Sequence, residues 1–440
     1  MNQVVVTGLG AVTAFGAGAE PLAGALARGA TRLSPVEPSR RLPRPTGGAT
    51  SAVRVGDLPL GEWLAPLVAR RMSPPSRWAV AAAKMALADA GLSVPDRPGE
   101  PDPATAVALA TSFGPMSYTQ RLLDQILDEG PEAASPSLFT ECVANAPAAQ
   151  VAIQCRAAGR NHTICQREAG ALTALARGAA DVASGRAARA LAGAAEEVTP
   201  LVFAILDRFR ALARPHRRSS DRVGEAGPAP GATAAAGRGG SRGAAPPAPT
   251  EAARPFDRRR DGFTVADGAA VLVLEPAAAA AARGARVLAR VRAWGGAFDP
   301  TAGRAGWGTG AAGLAVELQG VLGRAGLAPD DIDLVVSGAS GAVAGDRLEA
   351  AVLRRLWAGA PLPPVLVPKA VTGEYAGGFL AAAVLAAAGR PFGAAPGFAR
   401  SDDALAVAPH DGSPLPPPRR LLVTSLAAGG SAAWVILEAP

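Results

Sequence analysis

Cysteine, lysine and histidine are scarce in this chain of 440 residues, which has three cysteines, two lysines and three histidines. The cysteines, Cys142, Cys155 and Cys165, show no metal-ligand spacing and make no even set for disulfides. That excludes a disulfide scaffold and a structural metal site, and it fits a reducing, cytoplasmic setting. With only Lys84 and Lys369 present, 42 of the 44 basic residues are arginine, a bias to which no mechanism attaches. Long apolar runs are missing as well. The opening MNQVVVTG enters a strand at once, with no basic leader and no extended apolar segment, so no signal peptide is expected. Alanine-rich stretches near 274–283 and 378–389 are too short or too glycine-broken to supply the ~20 apolar residues of a membrane span.

The formal net charge is +7. Much of that excess sits in residues 214–254, which hold seven arginines against three acidic residues among Gly, Pro, Ala and Ser. Almost no large apolar side chain occurs there, so burial cannot offset the entropy of ordering, and a disordered insertion is expected. Elsewhere no basic-aromatic interleaving accompanies the charge, which argues against nucleic acid. A mildly basic surface suits an acidic protein partner. The 49% hydrophobic and 18% charged content is that of a globular chain with a large core.

The stretch 159–197 organises the rest. It reads as a short strand (162–166), a sharp turn, a helix of small residues (169–184) and a buried strand (188–194). Such a turn places its apex on the first turn of a helix, where unpaired N–H groups and the helix dipole favour an anion and lower a thiol pKa. The apex residue is Glu168. Buried strands are also expected at 4–7, 106–111, 268–275, 287–294 and 331–337, with helices at 71–90, 118–127 and 310–325. Strands alternating with helices in two successive halves fit a layered α/β fold. No internal repeat is visible in the sequence. The opening GLGAVT invites a dinucleotide-binding reading, but Thr13 stands where the third glycine belongs and no acidic ribose ligand follows.

Several motifs fall in one order along the chain: VVVTGLGAVTAFG at the start, EAGALTA from Glu168 to Ala174, GAAD ending at Asp181, AGAAE ending at Glu196, PFD at 255–257 and RDGF at 260–263. In this order they resemble the β-ketoacyl synthase family, whose active-site turn reads Cys-x-Ser-Gly-Leu-x-Ala. The resemblance implies a thiolase-like αβαβα layered fold with two duplicated halves. The N-terminal half would span 1–213 and end over 255–275, the insertion 214–254, and the C-terminal half 276–440.

Active members use a cysteine thiolate and two histidines. Here Glu168 takes the place of the cysteine, Gly338 that of the first histidine, and Glu374 that of the second, while Lys369 keeps its motif position. In the C-terminal glycine motif Gly429 and Gly430 remain, and the aromatic gate becomes Ala428. His162, His216 and His410 match none of the catalytic slots. Cys165 is expected inside the strand as an inert, packed residue. No catalytic residue and no metal site are therefore expected.

The resemblance then narrows to the chain length factor, or β ketosynthase subunit, of type II polyketide synthases, although typical members carry Gln where this chain has Glu168. It implies a non-condensing partner of an active, Cys-bearing ketosynthase, shaping the tunnel for a chain borne on the phosphopantetheine arm of an acyl carrier protein. No cofactor of its own, no nucleic acid and no membrane are implied. Met116, Tyr118 and Leu122 are the tunnel candidates, and 137–150 is the segment expected at the subunit interface. Glu168 has two readings, a carboxylate capping its helix or a decarboxylating site. The alternative for the whole chain is an enzyme in its own right, a malonyl-carrier decarboxylase or an acyltransferase.

Overall fold

The computed structural model describes residues 2–93, 100–215 and 251–440. Two sets of five strands carry the architecture. The first comprises β1 (Val4–Thr13), β2 (Thr105–Ala110), β3 (Asn161–Ile164), β4 (Arg189–Glu196) and β5 (Gly268–Pro276). The second comprises β6 (Ala289–Phe298), β7 (Leu334–Val336), β8 (Val365–Leu366), β9 (Arg420–Leu426) and β10 (Ser431–Glu438). The hydrogen-bonded order is β8-β7-β9-β10-β6-β1-β5-β4-β2-β3. In each set the spatial order is third, second, fourth, fifth, first, with the same parallel and antiparallel choices. The duplication that the residues conceal is therefore explicit in the topology. The halves join where Val4, Val5 and Val6 of β1 pair antiparallel with Val291, Arg290 and Ala289 of β6.

Side chains alternate across each strand, and the helices sort accordingly. Helices α1 (Pro74–Asp89) and α2 (Ala146–Cys155) cover one face of the first half, where Leu191 and Val271 point. Ala190, Ala192, Leu272 and Leu274 point the other way, into a central core. That core holds α3 (Gly170–Ala183) and also receives Leu421, Val423, Val435 and Leu437 from the second half. Beyond the second half lie α4 (Ala311–Arg324) and α5 (Val343–Leu356), packed on Leu422, Trp434 and Ile436. The last long helix, α6 (Gly378–Ala387), is buried along its whole length in the central core. Five layers result, the thiolase-like αβαβα arrangement. Gly8 and Gly10 find their reason here: a Cβ at either would run into the backbone of α1, at the carbonyls of Ala86 and Ala82.

A smaller sheet joins the strands Leu33–Pro35, Ser51–Val53, Val265–Ala266 and Glu374–Tyr375. It ties residues 374 and 375 of the second half to the first. Residues 216–250, the bulk of the expected insertion, lie outside the described residues, and His216 lies with them. Its far end needs correction, because residues 251–254 are buried. The Glu251 carboxylate accepts the backbone N–H groups of Thr50 (2.8 Å) and Ser51 (2.7 Å), so residues 251–254 belong to the folded body and not to the insertion.

Candidate functional site

Strand β3 ends at Ile164, a single 3-10 turn spans Arg167–Ala169, and α3 begins at Gly170. To turn this sharply, Arg167 adopts φ 47°, a left-handed conformation uncommon for a residue with a side chain. Glu168 stands at the apex, as the sequence predicts, and is buried. Cys165 departs from expectation: it lies past the end of the strand and is exposed, not packed.

The Glu168 carboxylate does not cap its own helix; α3 has no side-chain cap. It crosses instead to the C-terminal half. Tyr375 Oη donates to Oε1 at 3.1 Å, and the Ala428 backbone N–H donates to Oε2 at 3.2 Å. Two further bonds close the clasp. Arg167 Nη1 donates to the Ala428 carbonyl at 3.0 Å, and Ser425 Oγ donates to the Glu168 carbonyl at 2.6 Å. Ala428 thus contributes its backbone, both polar groups of which are taken by the elbow. Gly429 and Gly430 carry the loop onward at φ 94° and 96°, and a Cβ on Gly430 would stand 2.6 Å from the Asp299 carbonyl.

Glu374, expected at the position of the second histidine, has its Oε1 2.6 Å from Lys369 Nζ in an ion pair with both side chains 1% exposed. Its other oxygen, Oε2, is buried without a hydrogen-bond partner among the described residues. The first slot is closed to any side chain. A Cβ on Gly338 would stand 2.6 Å from the Thr424 carbonyl and 2.8 Å from Ser425 Cα. Buried Glu349 knots the surroundings, accepting from Ser337 Oγ (2.8 Å), the Gly338 N–H (3.2 Å) and Thr424 Oγ1.

These groups surround a cavity of about 20 Å³, lined among others by Ala110, Glu168, Ala171, Glu196, Glu374 and Tyr375. That is room for about one water. Burial, and then the neighbouring Glu374, push the Glu168 carboxyl up to about 7. Burial likewise raises Glu196 to about 8, against the hydrogen bonds it accepts from the N–H groups of Ser112 and Phe113. It raises Glu197 and Asp346 to about 7. A carboxyl whose folded pKa exceeds its unfolded value stabilises the fold below the unfolded value and loses that contribution as pH rises through the folded one. The thermal midpoint is therefore expected to fall as pH rises from about 5 through 7 and to level off above about pH 8, where both states are ionised. Glu168→Gln, neutral throughout, should flatten part of that fall. A midpoint constant from pH 6 to 8.5, or an unchanged slope in Glu168→Gln, contradicts this account.

The structure brings Glu168, Lys369, Glu374, Ala428 and the two glycines together, with Gly338 just behind Ser425. Met116, like Phe113 and Tyr375, packs against the cluster that includes Phe203, Phe263 and Val265, and it does not line the cavity. Tyr118 and Leu122 do not line the cavity; Tyr118 Oη donates to the Met72 carbonyl at 3.2 Å. His162 pairs with buried Asp181 at 2.9 Å, and the His410 backbone N–H bonds to Val365. Sequence reasoning missed Tyr375, Ser425 and Arg167. The one available signal was that Tyr375, one of two tyrosines, directly follows a substituted catalytic slot. Among the described residues no group of three or more His, Cys, Asp or Glu could hold a metal ion, and no helix is long and apolar enough to cross a membrane.

Residues 1–238 match the family model for the β-ketoacyl synthase N-terminal domain. A polyketide β-ketoacyl synthase 2 from Streptomyces halstedii is 31% identical over 388 residues, 87% of this chain and 83% of that one. A 3-oxoacyl-[acyl-carrier-protein] synthase 2 from Rhizobium meliloti (strain 1021) is 28% identical over 369 residues, 81% of this chain and 78% of its own length. Among solved structures, the ishigamide ketosynthase/chain length factor is 26% identical with a TM-score of 0.81, covering 100% of this chain and 99% of that one.

Proposed function

This chain belongs to the β-ketoacyl synthase family, and from the way its elbow is filled we propose that it is a non-condensing member, a chain length factor that pairs with an active ketosynthase. The observation that carries the reading is the clasp of buried Glu168 between Tyr375 and Ala428. Condensation needs a nucleophile to take the acyl group and donors placed for the developing oxyanion. Here a carboxylate occupies the nucleophile's position and consumes a backbone donor, and the two histidine slots hold Gly338 and Glu374. The alternative, an activity of its own at Glu168, would require an acyl group where about 20 Å³ is free.

An exposed apolar face supports a partner subunit. The sheet ends at β3, whose outer edge is unpaired among the described residues. Beside it in sequence, Leu127 (71% exposed), Phe139 (62%) and Ile153 (66%) face solvent, in and around the expected interface segment 137–150. Large apolar side chains left exposed on three successive helices are what an association face would cover. In this reading the helix Met116–Glu129 contributes Met116, Tyr118 and Leu122 to a tunnel shared with the partner, and the substrate chain arrives on the phosphopantetheine arm of an acyl carrier protein.

Co-expression with a Cys-bearing ketosynthase tests the proposal. The isolated chain should take no label from acyl-carrier protein. With the partner it should co-purify as a 1:1 complex, and Met116→Ala should lengthen the product seen by mass spectrometry. Stable acylation of the isolated chain, or elongation without the partner, sinks it.

A further inference from the structure

We propose that Tyr375 is a plug: its ring shuts this chain's own pocket against a linear acyl chain on a pantetheine thioester, which leaves loading to the partner. The inference rests on the non-condensing reading and adds a physical cause for it beyond the lost nucleophile.

Tyr375 is held in an unusual way. Its φ is 80°, a left-handed conformation that bulky side chains avoid, and no glycine relieves the strain at that position. Such outliers persist only where the surroundings over-determine them. Here the surroundings do. The ring meets Phe113 edge-on at 5.3 Å between centroids and Phe263 edge-on at 5.7 Å, and the hydroxyl donates to Glu168. The parallel pairing of Glu374–Tyr375 with Val265–Ala266 fixes the backbone beneath it.

Small residues share the lining with the ring: Ala110, Ala171, Ala194 and Ala195 border the residual cavity together with Tyr375 and Phe379. Polar Thr111, Ser112, Arg167, Glu196 and Lys369 complete the lining, and the alanines are the part that suits a narrow aliphatic occupant. The remaining 20 Å³ does not, since ligand pockets run to ~300 Å³ or more. Tyr375 lines this cavity and its ring also meets Phe113, and an aromatic side chain buries roughly 150–250 Å² of surface, so withdrawing the ring opens space between the two.

The decisive variant is Tyr375→Gly, because glycine adopts φ 80° without strain and removes the ring at little cost to the backbone. Binding of hexanoyl-pantetheine to the full chain, alone and with its partner, is the readout. Wild type is expected to show no saturable binding, and Tyr375→Gly should gain at least about tenfold in affinity over it. Tyr375→Phe keeps the ring and loses the hydroxyl, so it should stay closed. Should Tyr375→Gly not fold, Phe113→Ala, which withdraws the wall holding the ring, should gain in the same direction. The proposal is overturned if wild type binds the probe as well as the variants do, if neither folded variant gains, or if Tyr375→Phe opens the site equally. Acylation of the wild-type chain is a separate outcome: it removes the non-condensing reading, whereas failed binding by the variants removes only the plug.

Discussion

Lys369→Met is expected to destabilise the protein by about 3–5 kcal/mol, the usual cost of breaking a buried ion pair from one side. The pair with Glu374 is buried on both sides, and Nζ also lies 3.5 Å from Ser425 Oγ. Phe379 adds its ring face at 4.9 Å from Nζ. Without the ammonium, Glu374 would face Glu168 across the cavity with one oxygen already unpartnered. Replacing both members, Lys369→Met with Glu374→Leu, should recover most of the stability, because apolar groups of similar size often replace a buried pair at little or no cost. Urea unfolding measures both. A loss below about 1 kcal/mol in the single variant would mean that the pair does not hold this site together.

Gly338→His, the change that would restore the family's first histidine, should yield no folded protein. Even Gly338→Ala is expected to cost about 1–3 kcal/mol, the penalty of overpacking a filled core. The obstacles at 2.6 and 2.8 Å are backbone atoms of Thr424 and Ser425, which cannot swing aside as a side-chain tip can. They belong to β9, paired along its length with β10. By contrast, Glu168→Cys only shortens a side chain and should fold. A cysteine at the elbow alone should remain without condensing activity, since neither histidine slot is refilled. Thermal midpoints of the purified variants decide this. A Gly338→His protein melting within a few degrees of wild type would show that β9 can give way.

These two sites differ in how far the sequence announced them. The departures at 168, 338 and 374 are visible by laying the chain against the motifs it resembles, because each puts an unexpected residue type into a recognisable frame. The strand, turn and helix around Glu168 were equally legible: the expected helix 169–184 is observed as Gly170–Ala183, and the expected strand 188–194 as Arg189–Glu196. Local composition decides such elements, with small and β-branched residues repeating at the right period. Cys165 was misplaced because two residues at a strand end separate a packed side chain from an exposed one, and element boundaries are the least determined part of a pattern.

What the amino-acid sequence determined by itself, then, was the alternation of strands and helices, the family frame and the missing nucleophile, all properties of residues near one another in the chain. The tertiary structure alone decided what the substitutes do. Glu168 meets Tyr375 from 207 positions away and Ala428 from 260, and Gly338 is closed by a strand almost ninety residues further on. Contacts of that span depend on how two duplicated halves pack across the central helices. No local period encodes which side chain of one half will fill the space left in the other.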